Sequence, residues 1–520
     1  MSPSRHPWRR AAACAAVSAV FAVSACRAAV DQGGAQVSAG SGTPQSGGTL
    51  VAAQVQDPDP GSLLKTSVGN ILTTYSVLET LTTIDPDTGR VRGVLAKSWK
   101  LAPDGRSMDL SLRDDVTFHS GARFDAHDVV FTLKKVQDPA TGAANQSIAS
   151  AITGMKIVSD DELKLTFSKV LPNVFDLFET MPILNPATYT KYAAGTTVDG
   201  TGPFEWKSWT PGAKLELAKY ARYRGADKIR LDRIEINIIS DPTAMVSAIR
   251  SGRVQYGTGM GALDAYSLSR QPGYQLITTG GSAIPLAFDT SQKPFDDKLV
   301  RQAVQYALDR KRIVQQVESH QGAAASLPWR DTTLGYDKGQ ASHYTYDPDR
   351  ARRLLAEAGV REASFKMVTL NTPEAMGIFQ IVRNNLEAVG LHATAESLSA
   401  TEYDTRLAAG DMGAPVFLML AANGLSPASA VVSRPELLAS GNPQGFGTQR
   451  YTDLVRGVTS AAGATAQSRA LRAYNDYFLD QAFAVPLVIR PSMSVATRAV
   501  HGITDTQMGF INLNDVWLSK

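Results

Sequence analysis

The chain has 520 residues, with 52 Lys and Arg against 49 Asp and Glu. Residues 1–25 hold Arg5, Arg9 and Arg10 and no acid, so 49 bases balance 49 acids beyond them; this excludes nucleic acid or an anionic membrane face as the main partner. Cys14 and Cys26 are the only cysteines, so an exported chain that sheds its leader keeps one thiol, which excludes a disulfide framework and a cysteine metal site and leaves buried apolar area, in more than one core at this length, to hold the fold.

The first element is a leader. Ala11 to Val23 carries no charge, follows a basic start and ends in small residues, the layout of a secretory signal peptide over 1–25. The stretch is shorter than the ~20 residues that cross a bilayer. Val23-Ser24-Ala25-Cys26 is similar to a bacterial lipobox, which implies that Cys26 is lipidated and that the mature protein is extracytoplasmic, held to the cell membrane by its N-terminal lipid. Residues 26–47 then read as lipidated cysteine and tether. Arg27 to Gly47 is rich in Gly, Ser, Ala and Gln and cannot bury enough surface to order itself; as a coil it reaches roughly 25 Å.

Beyond Gly48 strands and helices interleave. Met108, Leu110 and Leu112 alternate with polar residues, as do Leu163, Leu165 and Phe167, so both runs are predicted strands. Val116 and Phe118 read as strand core and Gly121 as a turn with an unusual backbone angle. Asp125 is placed to cap a helix that buries Val129, Val130 and Leu133. His119 and His127 stand eight residues apart across that junction with no third histidine near, so no metal is assigned to them. Ile234, Ile236 and Ile238 mark another strand, and Asp241-Pro242 opens a helix that stops near Gly252. Leu299, Val300, Ala303, Val304, Ala307 and Leu308 form an amphipathic stripe. Asp347-Pro348 begins a helix with Leu354, Leu355 and Ala358 on one face and Gly359 at its end; Thr372-Pro373 begins another that ends at Gly390. Phe365 to Leu370 and Pro415 to Ala422 suit buried strands. The fold class is therefore α/β, or mixed α+β.

Four blocks look like a known family. They are Tyr75-Ser-Val-Leu-Glu-Thr-Leu81 with Leu95-Ala-Lys-Ser-Trp99, read as an opening helix and a turn; Leu112-Arg-Asp-Asp-Val-Thr-Phe-His-Ser-Gly121 with Phe124 to Val130; Gly200-Thr-Gly-Pro-Phe204 with Trp209; and Phe288-Asp-Thr-Ser291, Pro294 to Asp297, Val300 to Ala303 and Ala307 to Arg310. From about Gly47 onward the chain resembles the extracytoplasmic solute-binding proteins of bacterial ABC transporters, in the peptide/nickel-type (dipeptide- and oligopeptide-binding) branch. The resemblance implies a two-lobed periplasmic-binding-protein type II fold with an extra inserted domain. Lobe I would comprise 48–78, 200–282 and 489–520, the inserted domain 79–199, and lobe II 283–488. The chain would cross between lobes near Ala283 to Phe288 and near Pro486 to Arg490. It also implies a monomer without cofactor that closes on a solute and delivers it to an ABC import permease.

In peptide-binding relatives a Trp/Ala/Asp/Tyr-type loop pairs an acid with the free amine of the ligand. The nearest stretch here, Met419 to Pro427, has neither Trp nor Asp. Asn423 offers an amide and cannot neutralise an ammonium, which weakens a free-amine peptide as ligand and leaves longer or blocked peptides, a glycoside or another polar metabolite; its plain reading is a turn with Gly424. The other candidate contacts are Gln54 and Gln56, just before Asp57-Pro58; Tyr75, alternatively a core residue; Asn371, alternatively part of a helix cap; and Phe510, alternatively core filling. A secreted hydrolase is the rival class, but neither a Gly-x-Ser-x-Gly elbow nor His-Glu-x-x-His occurs. A ligand-sensing adaptor for a membrane signalling partner would share every feature named.

Overall fold

The computed structural model describes residues 43–519 apart from 66, 196 and 420–423. The leader, the lipidation at Cys26, the tether up to residue 42 and the Asn423 contact lie outside the described residues.

The largest sheet has 11 strands. Its path runs Leu391–Leu398, Ala363–Leu370, Val416–Leu418, Tyr274–Phe288, Ala484–Thr497, Tyr256–Thr258, Thr49–Gln54, Arg233–Ile238, Lys214–Lys219 and Phe204–Thr210, with Ala323–Ala324 paired to Ala484–Thr497 off the path. Thr49–Gln54 is parallel to both of its neighbours, and Ala363–Leu370 is parallel to both of its own. Between these two parallel groups lie two long antiparallel strands, Tyr274–Phe288 of 15 residues and Ala484–Thr497 of 14. Their ladder is irregular between Thr279 and Ser282 and again between Ile284 and Pro285.

The apolar core divides along these two strands. Ile277 and Ala496 belong to a cluster built from residues 50–236 and the C-terminal segment, and Met493 and Val495 to a small cluster with Met245 and Ile249. Ile284, Leu286 and Phe288, with Val485, Leu487 and Val488, belong to a separate cluster that includes Val304, Phe379 and Tyr474. Two buried arginines tie the helical stripe to the second long strand and its approach. Arg310 Nε donates to the Pro486 carbonyl at 2.9 Å, and Arg301 Nε to that of Gln481 at 3.0 Å. A buried guanidinium is tolerated when carbonyls satisfy it, and this accounts for the Val300-to-Arg310 block.

A second sheet of four strands, Ala96–Leu101, Ser107–Leu112, Glu162–Phe167 and Ile152–Ser159, buries the Met108, Leu110, Leu112 face and the Leu163, Leu165, Phe167 face in the first core. Asp125 caps helix Ala126–Gln137 in a capping box with Asp128, as its position suggested. Asp241, Asp347 and Thr372 cap the helices Pro242–Arg250, Pro348–Glu357 and Pro373–Glu387. These signals were readable because a cap and the following proline act within one turn.

Four expectations need correction. Leu95 to Trp99 is not a turn; most of it lies in strand Ala96–Leu101, which pairs with Ser107–Leu112. The opening helix is a single turn, Thr74–Val77, because Leu78 turns to extended backbone and frees Glu79 to make a bidentate pair with Arg224 at 2.6 and 2.7 Å. Val116 and Phe118 are buried core but flank an isolated bridge, Thr117 to Arg123, around a turn in which Gly121 takes φ +92°. Of Pro415 to Ala422, Val416–Leu418 is strand, and 420–422 are outside the described residues.

The glycine block at 200–204 is explained by close approach. A Cβ on Gly200 would sit 1.8 Å from the Val77 carbonyl oxygen. Gly200→Ala is therefore expected to cost roughly 2–4 kcal/mol through forced backbone movement. Gly457→Ala, inside helix Gln449–Ser460 with open space at its Cβ, is expected to be neutral or to stabilise by up to about 1 kcal/mol. Urea melts of the two variants check the contrast; similar losses at both positions would contradict it.

Candidate functional site

Two cavities border the long strands where the core divides. The first encloses about 290 Å³. Gly281 and Ala283 of the first long strand line it, with Leu101, Met108 and residues 171–176 contributed by the first half of the chain. Residues 328–330, 332–334 and 424–428, with Arg434, Leu471 and Gln507, add to the wall. The second encloses about 270 Å³ between Gln54, Val55, Val68 and Ile71, Thr258 to Met260, and Arg490 to Met493 of the other long strand. Gln54 and Thr258 are the carboxyl ends of parallel strands at the point where strand order reverses, the place where open α/β sheets bind ligands. A further depression, about 880 Å³ over Lys293, Pro294 and residues 359–364, is an open surface groove with no residue of the long strands in it.

One acid, Asp176, lines the first cavity, and Glu179 stands one turn further along the same helix. Asp176 and Glu179 stand on helix Val174–Thr180 and are both buried. Asp176 Oδ2 accepts hydroxyl protons from Ser426 and Ser429 at 2.5 Å each, and Asn173 Nδ2 donates to Ser429 Oγ at 2.9 Å. Burial raises the Asp176 carboxyl above the usual range. Glu179 Oε1 accepts from Ile84 N at 2.8 Å and Thr83 Oγ1 at 3.3 Å, while Oε2 has no partner among the described residues. Burial first, then the neighbouring Asp176 charge, push Glu179 up to about 8. Asp505 accepts from Gly280 N at 2.5 Å and is pushed by burial to about 6. Gln507 Nε2 donates to the Gly424 carbonyl at 2.8 Å and so ties the C-terminal segment to the 424–428 wall. Near the second cavity, Arg490 is ion-paired with Glu374 at 2.8 Å, and burial raises the neighbouring Glu318.

The residues singled out from sequence fall into distinct places. Gln54 lines the second cavity, but its Nε2 is spent on the Gln56 and Gly69 carbonyls at 2.7 Å each, so it braces the loop after its strand. Gln56 is exposed. Tyr75 and Phe510 are brought together, rings tilted at 5.6 Å, and the Tyr75 hydroxyl donates to the Glu179 carbonyl. Both are buried and neither is on the cavity walls. Asn371 is exposed; its backbone N–H donates to Leu398 O at 2.9 Å, and the helix cap beside it is Thr372. His119 is committed to the backbone of the glycine block, Nε2 to Gly202 O at 2.9 Å and Nδ1 to Gly200 N at 3.3 Å. Asp125, His127 and Asp160 bring donor atoms within 4.8 Å of one another at the surface, where Asp125 is already occupied as the helix cap.

Asp176, Glu179, Arg330 and Gln507 were missed. One signal was present: two acids three residues apart inside Leu171 to Met181, otherwise a largely apolar run. Acids on the same side of an apolar helix are either paired or functional.

Residues 90–431 match the family described as bacterial extracellular solute-binding proteins, family 5. Heme-binding protein A of Haemophilus influenzae is 25% identical over 367 residues, covering 64% of this chain and 67% of that protein. Glutathione-binding protein GsiB of Escherichia coli K12 is 23% identical over 441 residues, covering 81% and 85%. The crystal structure of the ABC transporter substrate-binding protein CtaP from Listeria monocytogenes superposes with a TM-score of 0.82 at 19% identity, covering 92% of this chain and all of that one. The fold is the two-lobed type II periplasmic-binding-protein fold expected from the sequence.

Glu179 yields a pH test. Its folded value near 8 lies above the ~4.3 of an unfolded glutamate. The proton is bound more tightly by the fold, so the stability it contributes is complete below about pH 4.3 and is lost as pH rises through about 8. Glu179→Gln stays neutral throughout. Relative to wild type the variant is expected to gain roughly 2–4 kcal/mol between pH 5 and pH 8.5. Parallel melting curves across that range would show that the carboxyl is ordinary.

Proposed function

Because the chain belongs to the bacterial extracellular solute-binding proteins, family 5, we propose that it captures a peptide, a peptide-like molecule or another polar metabolite between its lobes and delivers it to an ABC import permease. The carrying observation is the position of both cavities on the two strands along which the apolar core divides. Relatives named for heme and for glutathione mark how widely the ligand varies on this fold. On this reading 48–78, 200–282 and 489–520 form lobe I, 79–199 the inserted domain and 283–488 lobe II. Ligand touching both walls favours the closed arrangement, by no more than its difference in affinity for the two states. The protein performs no chemistry on its solute, acts as a monomer, and is tethered through lipid on Cys26, which raises its local concentration at the permease.

Two measurements test this. A thermal-shift screen over peptides, oligosaccharides and chelated metals is expected to find ligands that raise the melting temperature with the logarithm of concentration. The same ligands are expected to shrink the radius of gyration in solution scattering; a stabilising ligand that leaves the dimensions unchanged would remove the closure mechanism. Separately, Cys26→Ala is expected to move the protein from the membrane fraction to the soluble extracytoplasmic fraction. Retention of the variant in the membrane would refute the lipid anchor.

A further inference from the structure

We infer that Arg330 is the anchor for an acidic group of the ligand, and that the 290 Å³ cavity takes a compact amphipathic carboxylate. This rests on the solute-binding reading above and narrows its ligand class.

Arg330 lies on the cavity wall, and its stem is held against the first long strand: a Cβ on Gly281 would meet Arg330 Cδ at 3.0 Å. One arm of the guanidinium, Nη2, donates to the Pro86 carbonyl at 3.2 Å. The other, Nη1, is buried and has no hydrogen-bond partner among the described residues. A guanidinium does not lose its proton, so a buried N–H without an acceptor stays costly until a ligand oxygen supplies one.

The acids nearby do not meet that need. Asp505 spends Oδ2 on Gly280 N and feels Arg330 as a charge without an ion pair between them among the described residues. Asp176 shares Oδ2 between two serine hydroxyls, and burial biases it toward its neutral form. Arg434, the other cation on the wall, is ion-paired with Glu436. Arg330 is therefore the cation on this wall that has no ion pair among the described residues. Around it Leu101, Met108, Phe175, Trp329, Leu425 and Leu471 offer apolar surface. A carboxylate on an apolar body fits that arrangement: two oxygens for the fork, and carbon for the walls.

The test uses the purified full chain and three matched probes, 3-phenylpropionate, 3-phenylpropionamide and 3-phenylpropylamine, with dissociation constants from calorimetry at fixed salt. The acid is expected to bind at least ~10-fold more tightly than the isosteric amide, and the amine most weakly. Arg330→Gln is expected to abolish the acid-over-amide preference and leave amide affinity within about twofold. Arg330→Lys, which keeps the charge and loses the fork, is expected to retain part of the preference, and it stands in if the glutamine variant melts abnormally. An amide or amine bound as tightly as the acid, or a preference that survives both substitutions, overturns the anchor while leaving solute capture intact. Failure of all three probes overturns the ligand class; solute capture then stands or falls on the closure of the protein around the ligands found by screening.

Discussion

The structure depends on one ladder, Tyr274–Phe288 against Ala484–Thr497. Each strand starts in one apolar core and ends in another, so the backbone hydrogen bonds between them are the material that both halves share. At its ends the ladder is embedded: Tyr256–Thr258 pairs beside Ser494 to Ala496, and Val416–Leu418 pairs beside Leu286 to Phe288. In its middle, between Thr279 and Ser282, the pairing slips and side-chain cover is thinner. A ladder fixed at both ends and irregular at the centre concentrates bending in a few residues. Arg301 and Arg310 reinforce one end by clamping carbonyls at Gln481 and Pro486, which keeps deformation away from that core.

Buried ionisable groups gather where the core divides. Asp176 lines the first cavity, with Glu179 on the same helix and Asp505 bonded to Gly280, and Glu318, Glu374 and Arg490 lie together near the second. Asp176, Glu179, Asp505 and Glu318 each cost stability, since burial works against their charged forms. The fold carries that cost because the two large apolar clusters are complete without these residues. A polar group of the cavity wall that lacks a partner among the described residues, such as Arg330 Nη1, is one a bound molecule can improve.

How much of this was legible in the sequence follows from the range of each interaction. Helix starts at Asp241, Asp347 and Thr372 and the alternation in Ser107–Leu112 and Glu162–Phe167 depend on residues within a turn or a pleat, and they were read directly. The opening helix was overextended because its end is set by Glu79 reaching Arg224, 145 residues away. The cavity was hidden for the same reason: Asp176 meets Ser426 across 250 residues, and Gln507 meets Gly424 across 83. Gln54, Tyr75 and Phe510 were candidate contacts, and in the structure their polar or aromatic groups bond and pack within the scaffold. Nothing local distinguishes a glutamine that braces a loop from one that faces a ligand.

That division also explains how the fold is recognisable at 19–25% identity while the ligand is not. The blocks that identify the family serve architecture. Phe118 fills the core, Gly200 permits the approach of Val77, His119 binds the glycine block, Trp209 donates to Asp57 at 3.0 Å, and Arg310 clamps the long strand. The cavity walls are built from other residues: Phe175 and Asp176, Trp329 and Arg330, Ser426, Gln507. Those positions sit on short helices and connections that the ladder and the two sheets hold in place, so they can change without disturbing a cap, a strand register or a buried clamp. Ligand specificity in this chain therefore has to be read from the charge and shape of the walls rather than from the family's blocks.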